Sequence, residues 1–195
     1  MKKLKVILFY LILGICLGGC IKPMSRGERL TKELGSEQQM ADQMMEDIAA
    51  ALDAGDADAL KSLFSKTALE EATDIDQQIS DLLEFYQGKK QSFEGFASSS
   101  THTKYGEDIE KQLIGHYLLT TDKESYRVMY DYNVIDKDNS NAEGLSQLEV
   151  LTDEIYERDD FNYLSGSEGY EGPGVYIPVS YTHLTLPTIL RGEIS

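Results

Sequence analysis

From Ser36 onward the apolar positions fall at helical spacing. Ala41, Met44, Met45, Ile48 and Leu52 recur at i, i+3, i+4, i+7 and i+11, one face of an amphipathic helix. Ser36 with Gln39 three residues later has the form of a capping box, which predicts the helix start there. Gly55 predicts its end. Asp56 is placed to cap a second helix that buries Leu60, Leu63 and Phe64. A third helical stretch runs from about Lys66 to Gln87, with a break near Thr73 and Asp74. Its later part sets Ile75, Ile79, Leu82, Leu83 and Tyr86 on one face, and Gly88 suits the left-handed residue that follows a helix.

After Gly88 the period shortens to two. "SFEGFASS" reads as a strand weakened or bulged at Gly95. "EKQLIGHYLLTT" and "SYRVMYDYNVI" are rich in aromatic and β-branched residues, and "LSQLEVLTDEIY" supplies a fourth strand. In "SYRVMYDYNVI", Tyr126, Val128, Tyr130, Tyr132 and Val134 share one face, with Arg127, Met129, Asp131, Asn133 and Ile135 opposite. "TTDKES" and "DKDNSNAEG" are turn-forming links. Helices followed by an antiparallel meander predict an α+β domain, with N-terminal helices packed on one face of the sheet. Neither a βαβ alternation nor an internal repeat is visible.

The two ends of the chain break this pattern. At the start, Lys2, Lys3 and Lys5 precede an uncharged apolar run from Val6 to Leu17, and Gly18 and Gly19 lead to Cys20. That run has the length of a signal-peptide core and is too short to span a bilayer. Leu17-Gly18-Gly19-Cys20 resembles the lipobox of bacterial lipoproteins, with Gly18 a less usual occupant of its position. The resemblance implies a signal peptide over 1–19 and lipidation of Cys20, with acyl chains such as palmitate anchoring the mature chain. Two acyl chains supply the two signals that stable anchoring needs. The expected address is the cell membrane, at its extracytoplasmic face. Residues 20–35 then read as the lipidated cysteine and a polar tether, and 36–178 as the domain. At the other end, "SYTHLTLPT" is similar to a translated sequencing-adapter fragment, so 179–195 is read as a non-native tail; the alternating pattern of "VSYTHLTL" leaves a native edge strand as the alternative.

Charge narrows the partners. The chain carries 34 acidic against 18 basic residues, a net charge of -16. Such a surface repels nucleic-acid phosphates and anionic lipid headgroups, so no nucleic-acid partner is expected and membrane attachment falls to the lipid. Signal cleavage would remove three lysines and no acids, leaving the mature domain more acidic still. Both cysteines, Cys16 and Cys20, lie in this N-terminal segment, so no disulfide framework serves the domain.

With these elements in place, "ALDAGDADALKSLFSKTALEEATDIDQQISDLLEFYQG", "TTDKESYRVMYDY" and "GPGVYIP" resemble the small lipoproteins of Gram-positive bacteria grouped as domain of unknown function 5104. The resemblance covers roughly residues 37 to 178. It implies a cystatin/NTF2-like cone, with helices in the concavity of a curved antiparallel sheet, often with a pocket, and it implies no reaction.

Candidate chemistry is sparse. His102 and His116 are the histidines ahead of the tail, where His183 lies, and their spacing fits no ligand motif, so no metal is expected. His116 with Asp131 on an adjacent strand is the one candidate acid–base pair. "DKDNSNAEG", starting at Asp136, fails as an EF-hand loop because Asn141 and Gln147 stand where Gly and Glu are needed. No phosphate-binding glycine loop or nucleophile elbow is present. No cofactor is expected. Tyr117, Tyr130, Tyr132 and Arg127 are the candidate pocket lining, since tyrosine joins an apolar body to a polar tip. Alternation sets Arg127 on the face opposite Tyr130 and Tyr132, so one cavity takes all of them only across a bulge. The sequence therefore points to a lipid-anchored, non-enzymatic module binding a small molecule or an envelope protein. Its alternatives are an enzyme using a cone pocket and a purely structural envelope protein.

Overall fold

The structure, a computed structural model, describes residues 26–157 and 172–177. The expected signal peptide 1–19, Cys20 and the expected non-native tail 179–195 lie outside the described residues. Contacts divide the chain into two compact units, Met1–Gly35 and Ser36–Ser195. The first holds the opening turns of helix α1 (Arg26–Ala54), and the second holds the rest of α1 and every other described element.

Helix α1 begins at Arg26, well before the Ser36 capping box, so part of the expected tether is helical. The stretch "RGERLTKEL" holds no proline and is rich in residues of high helix propensity. Ala41, Met45, Ile48 and Leu52 are buried as the periodicity predicts. Gly55 follows at φ +65° and ends the helix. Asp56 then caps α2 (Ala57–Ser62), accepting from Ala59 N–H at 2.9 Å. Ser65 caps α3 (Lys66–Glu71) in the same way at 3.0 Å. The break at Asp74 separates α3 from α4 (Ile75–Phe85), which buries Ile75, Ile79 and Leu82. Gly88 takes φ +92°, two residues beyond the α4 cap at Tyr86 rather than beside it.

The sheet is open and curved, in the order β1–β2–β3–β4–β5. Its strands are β1 (Lys90–Lys104), β2 (Glu107–Thr121), β3 (Ser125–Asp136), β4 (Gly144–Thr152) and β5 (Gly174–Tyr176). The first four form the expected antiparallel meander, and β5 adds in parallel beside β4. This is the α+β arrangement, with the helices that precede the sheet packed on one face of mostly antiparallel strands. The fourth strand is shorter than its sequence pattern suggested, because Asp153–Tyr156 turns into a short helix, α5, capped by Thr152. Gly95 does not bulge β1, whose register with β2 runs unbroken from Ser92 to His102.

Strand alternation sorts the sheet into two faces. Leu113, Tyr117 and Leu119 of β2, Tyr126, Val128 and Tyr130 of β3, and Leu148 and Val150 of β4 pack in the helix-side core. A bulge between Asp131/Gln147 and Tyr132/Leu145 keeps Leu145 on that face. At one end of the core a buried ion pair ties α1 to β2: Lys111 Nζ lies 3.2 Å from Glu37 Oε1 and 3.4 Å from Asp108 Oδ2. Burial opposes the charge on Lys111, but its two carboxylate partners outweigh that and hold its pKa above the usual lysine value.

Candidate functional site

The candidate tyrosines brace the helix against the sheet. Tyr130, 2% exposed, donates its hydroxyl proton to the Ala41 carbonyl at 2.6 Å. Tyr117 donates to Asp42 Oδ1 at 2.8 Å and accepts from Gln38 Nε2 at 3.2 Å. Their rings stack 5.9 Å apart at an interplanar angle of 8°. Burial pushes both hydroxyls well above the ordinary phenol range, and Asp42 adds to the effect at Tyr117. Tyr132 is half-buried on the same face and packs against that core.

Two glycines make this layer possible. A Cβ at Gly115 would stand 2.3 Å from Tyr130 Cζ, and one at Gly95 would stand 2.7 Å from Tyr117 Cδ1 and 2.2 Å from the His116 carbonyl oxygen. Each tyrosine ring lies over the bare backbone of a neighbouring strand.

A depression opens on the other face. The β1–β2–β3 register aligns Phe96, His116 and Met129 in one row and Glu94, Leu118 and Arg127 in the next. Helix α5 closes one side: Arg127 Nε donates to Asp153 Oδ1 at 2.7 Å, and its guanidinium carbon lies 4.5 Å from the Tyr156 ring centroid. The two rows, with Gly95, Tyr117 and Tyr156, line a volume of about 660 Å³. Phe96 is 61% exposed and stacks on His116 at 5.4 Å. The result is an apolar floor of Phe96, Leu118 and Met129 between an acidic and a basic group. Such a surface suits a ligand with an apolar body and polar ends.

Of the residues singled out from the sequence, the sheet brings Tyr117, Tyr130 and Tyr132 together on the helix side and sets Arg127 on the other. His116 and Asp131 share the outer face as diagonal neighbours, without a hydrogen bond between them. Burial holds the Asp131 carboxyl above the usual carboxylate range, and the charge of His116 draws it back down. His102 is exposed on β1, opposite Glu110, and His183 lies outside the described residues. The loop from Asp136 closes on itself: Asp136 Oδ1 accepts from Asn139 N–H, and Glu143 Oε1 accepts from Asp136 N–H. Among the described residues, no three or more His, Cys, Asp or Glu side chains gather to hold a metal, and no helix is long and apolar enough to cross a membrane.

Glu94, Leu118, Met129 and Tyr156 were not singled out from the sequence. Alternation already set Met129 beside Arg127, but the row joining three strands depends on register, which alternation alone does not supply. Asp153→Asn removes the ion pair that latches α5. Hydrogen exchange at the amides of Asp153–Tyr156 is expected to quicken, with global stability falling by no more than about 1 kcal/mol, as for a solvent-accessible pair.

A family model described as Domain of unknown function (DUF5104) matches residues 47–153. No curated protein matches the chain.

Proposed function

The chain belongs to the Domain of unknown function (DUF5104) family, and from that premise we propose that it is a membrane-anchored, extracytoplasmic binding module. It is tethered through lipid on Cys20, has a cystatin/NTF2-like domain, and takes a small amphiphilic ligand in the outer-face depression. The observation that carries the binding reading is that depression. Its volume of about 660 Å³ falls within the range of small-molecule sites, and it sets Glu94 and Arg127 beside an apolar floor. The helix-side tyrosines do not serve as a second pocket in this reading, because the hydroxyls of Tyr117 and Tyr130 are engaged by α1. No acid–base step is assigned to His116 and Asp131, which lack the hydrogen bond that would orient one on the other.

The anchor and the pocket are tested separately. Labelled palmitate is expected to enter the wild-type chain and not Cys20→Ala, which is expected in the soluble fraction; label retained in Cys20→Ala overturns the anchor. Native mass spectra of the full chain, extracted from its own cells in mild detergent, are expected to show an adduct of constant mass. Met129→Trp, which fills the floor, is expected to lose it. An apo mass in the wild type, or an adduct that survives Met129→Trp, overturns the pocket.

A further inference from the structure

Among the described residues, strand β1 forms one edge of the sheet, and its side away from β2 lacks the usual protection. From Gly95 to Thr103, "GFASSSTHT", there is no Lys, Arg, Asp, Glu or Pro, in a chain that is 27% charged. Edges are ordinarily guarded by charge, proline or a bulge. Here the register with β2 stays regular from Ser92 to His102, and Ser98 through Lys104 are exposed. The Ala97 N–H donates to Gln38 Oε1 at 3.2 Å and so points away from β2. By antiparallel alternation the N–H groups of Gly95, Ser99 and Thr101 point the same way, toward the open edge.

We propose that this edge pairs with β1 of a second copy of the chain, antiparallel and centred on Ser99. The choice of occupant rests on charge. With Ser99 opposite its own counterpart, Glu94 of each copy faces Lys104 of the other, and Phe96 faces His102. All four side chains stand on the outer face, by the strand's own alternation. The uncharged centre meets itself without repulsion despite the molecule's net charge of -16, and the charges at its two ends are of opposite sign. The Ala97 N–H passes from Gln38 to the Thr101 carbonyl of the second copy. Pairing joins two five-stranded sheets into one and covers the exposed Phe96 ring. It also brings Lys104 and His102 of the second copy to the rim of the depression that Glu94 and Phe96 line.

The register makes a test that folding defects do not imitate. Light scattering of the full chain in detergent, over rising protein concentration, is expected to show the protein mass doubling. Glu94→Lys and Lys104→Glu each set like charges opposite one another at both ends, and each is expected to raise the dimerisation midpoint about tenfold. An equimolar mixture of the two variants restores opposite charges at both ends, and is expected to dimerise near the wild-type midpoint. Unchanged circular dichroism and melting of both exposed-site variants shows that the fold is intact. A wild-type monomer at every concentration overturns the proposal, and so does a dimer insensitive to both substitutions or a mixture that stays monomeric.

Discussion

Gly115→Ala is expected to lower the unfolding free energy by about 3 kcal/mol, the upper part of the range for overpacking a filled core. The added methyl would stand 2.3 Å from Tyr130 Cζ and 2.5 Å from Cε1, both ring atoms. A flexible side chain could swing aside, but this ring is held at both ends. Its hydroxyl is bonded to the Ala41 carbonyl of α1, and its face stacks on Tyr117. Relief therefore requires parting α1 from the sheet or breaking a buried hydrogen bond, itself worth about 1 kcal/mol. Urea unfolding measures the loss as a lower midpoint at unchanged slope. Tyr130→Leu supplies the control. It has its own cost, but Gly115→Ala added to it is expected to cost about 1 kcal/mol or less, and the difference is the coupling between the two positions. Equal costs in the two backgrounds would show that the close approach of Tyr130 is not what requires glycine at 115.

The same pair shows how far the sequence reaches. Helical spacing identified the α1 core face from Ala41 to Leu52, because a buried stripe on a helix recurs in the sequence whatever lies opposite. Alternation likewise separated Tyr126, Val128 and Tyr130 from Arg127, Met129 and Asp131. Neither pattern contains register. That Gly115 lies under Tyr130, or that Phe96, His116 and Met129 form one row, depends on which residues of separate strands stand opposite, and this is a property of the assembled sheet. Helix α5 was legible only as more strand, since "TDEIY" suits either state until Thr152 caps Ile155 N–H. Three-residue β5 is too short to carry a period at all, and its parallel pairing depends on the path from β4. The outer-face depression is built from these register-dependent pieces, which is why Glu94, Leu118 and Tyr156 escaped sequence reasoning while Tyr117, His116 and Arg127 did not.

Alkaline pH is expected to unfold the domain sharply, by a mechanism the tyrosine layer supplies. Burial is the leading cause that raises the hydroxyls of Tyr86, Tyr117, Tyr126 and Tyr130, and nearby carboxylates reinforce it at Tyr86 and Tyr117. In the unfolded chain these phenols release their protons near pH 10. Above that pH the unfolded state holds fewer protons than the folded one, so stability falls as pH rises. Each hydroxyl that stays protonated in the fold contributes about 1.4 kcal/mol per pH unit above that pH. Lys111 acts in the same sense: its folded pKa is raised, so its contribution is full below the unfolded value and fades as pH climbs through the folded one. Against a total stability of about 5–15 kcal/mol, several such hydroxyls acting together exhaust the fold within a few units above about pH 10. With 12 tyrosines and no tryptophan, tyrosinate absorbance follows the event directly. The buried set is expected to ionise in a late, steep step that coincides with loss of far-ultraviolet dichroism. Tyr130→Phe is expected to remove about one proton from that step and make it shallower. Smooth ionisation of every tyrosine near pH 10 with the dichroism intact would show that the hydroxyls are not sealed in the helix–sheet layer.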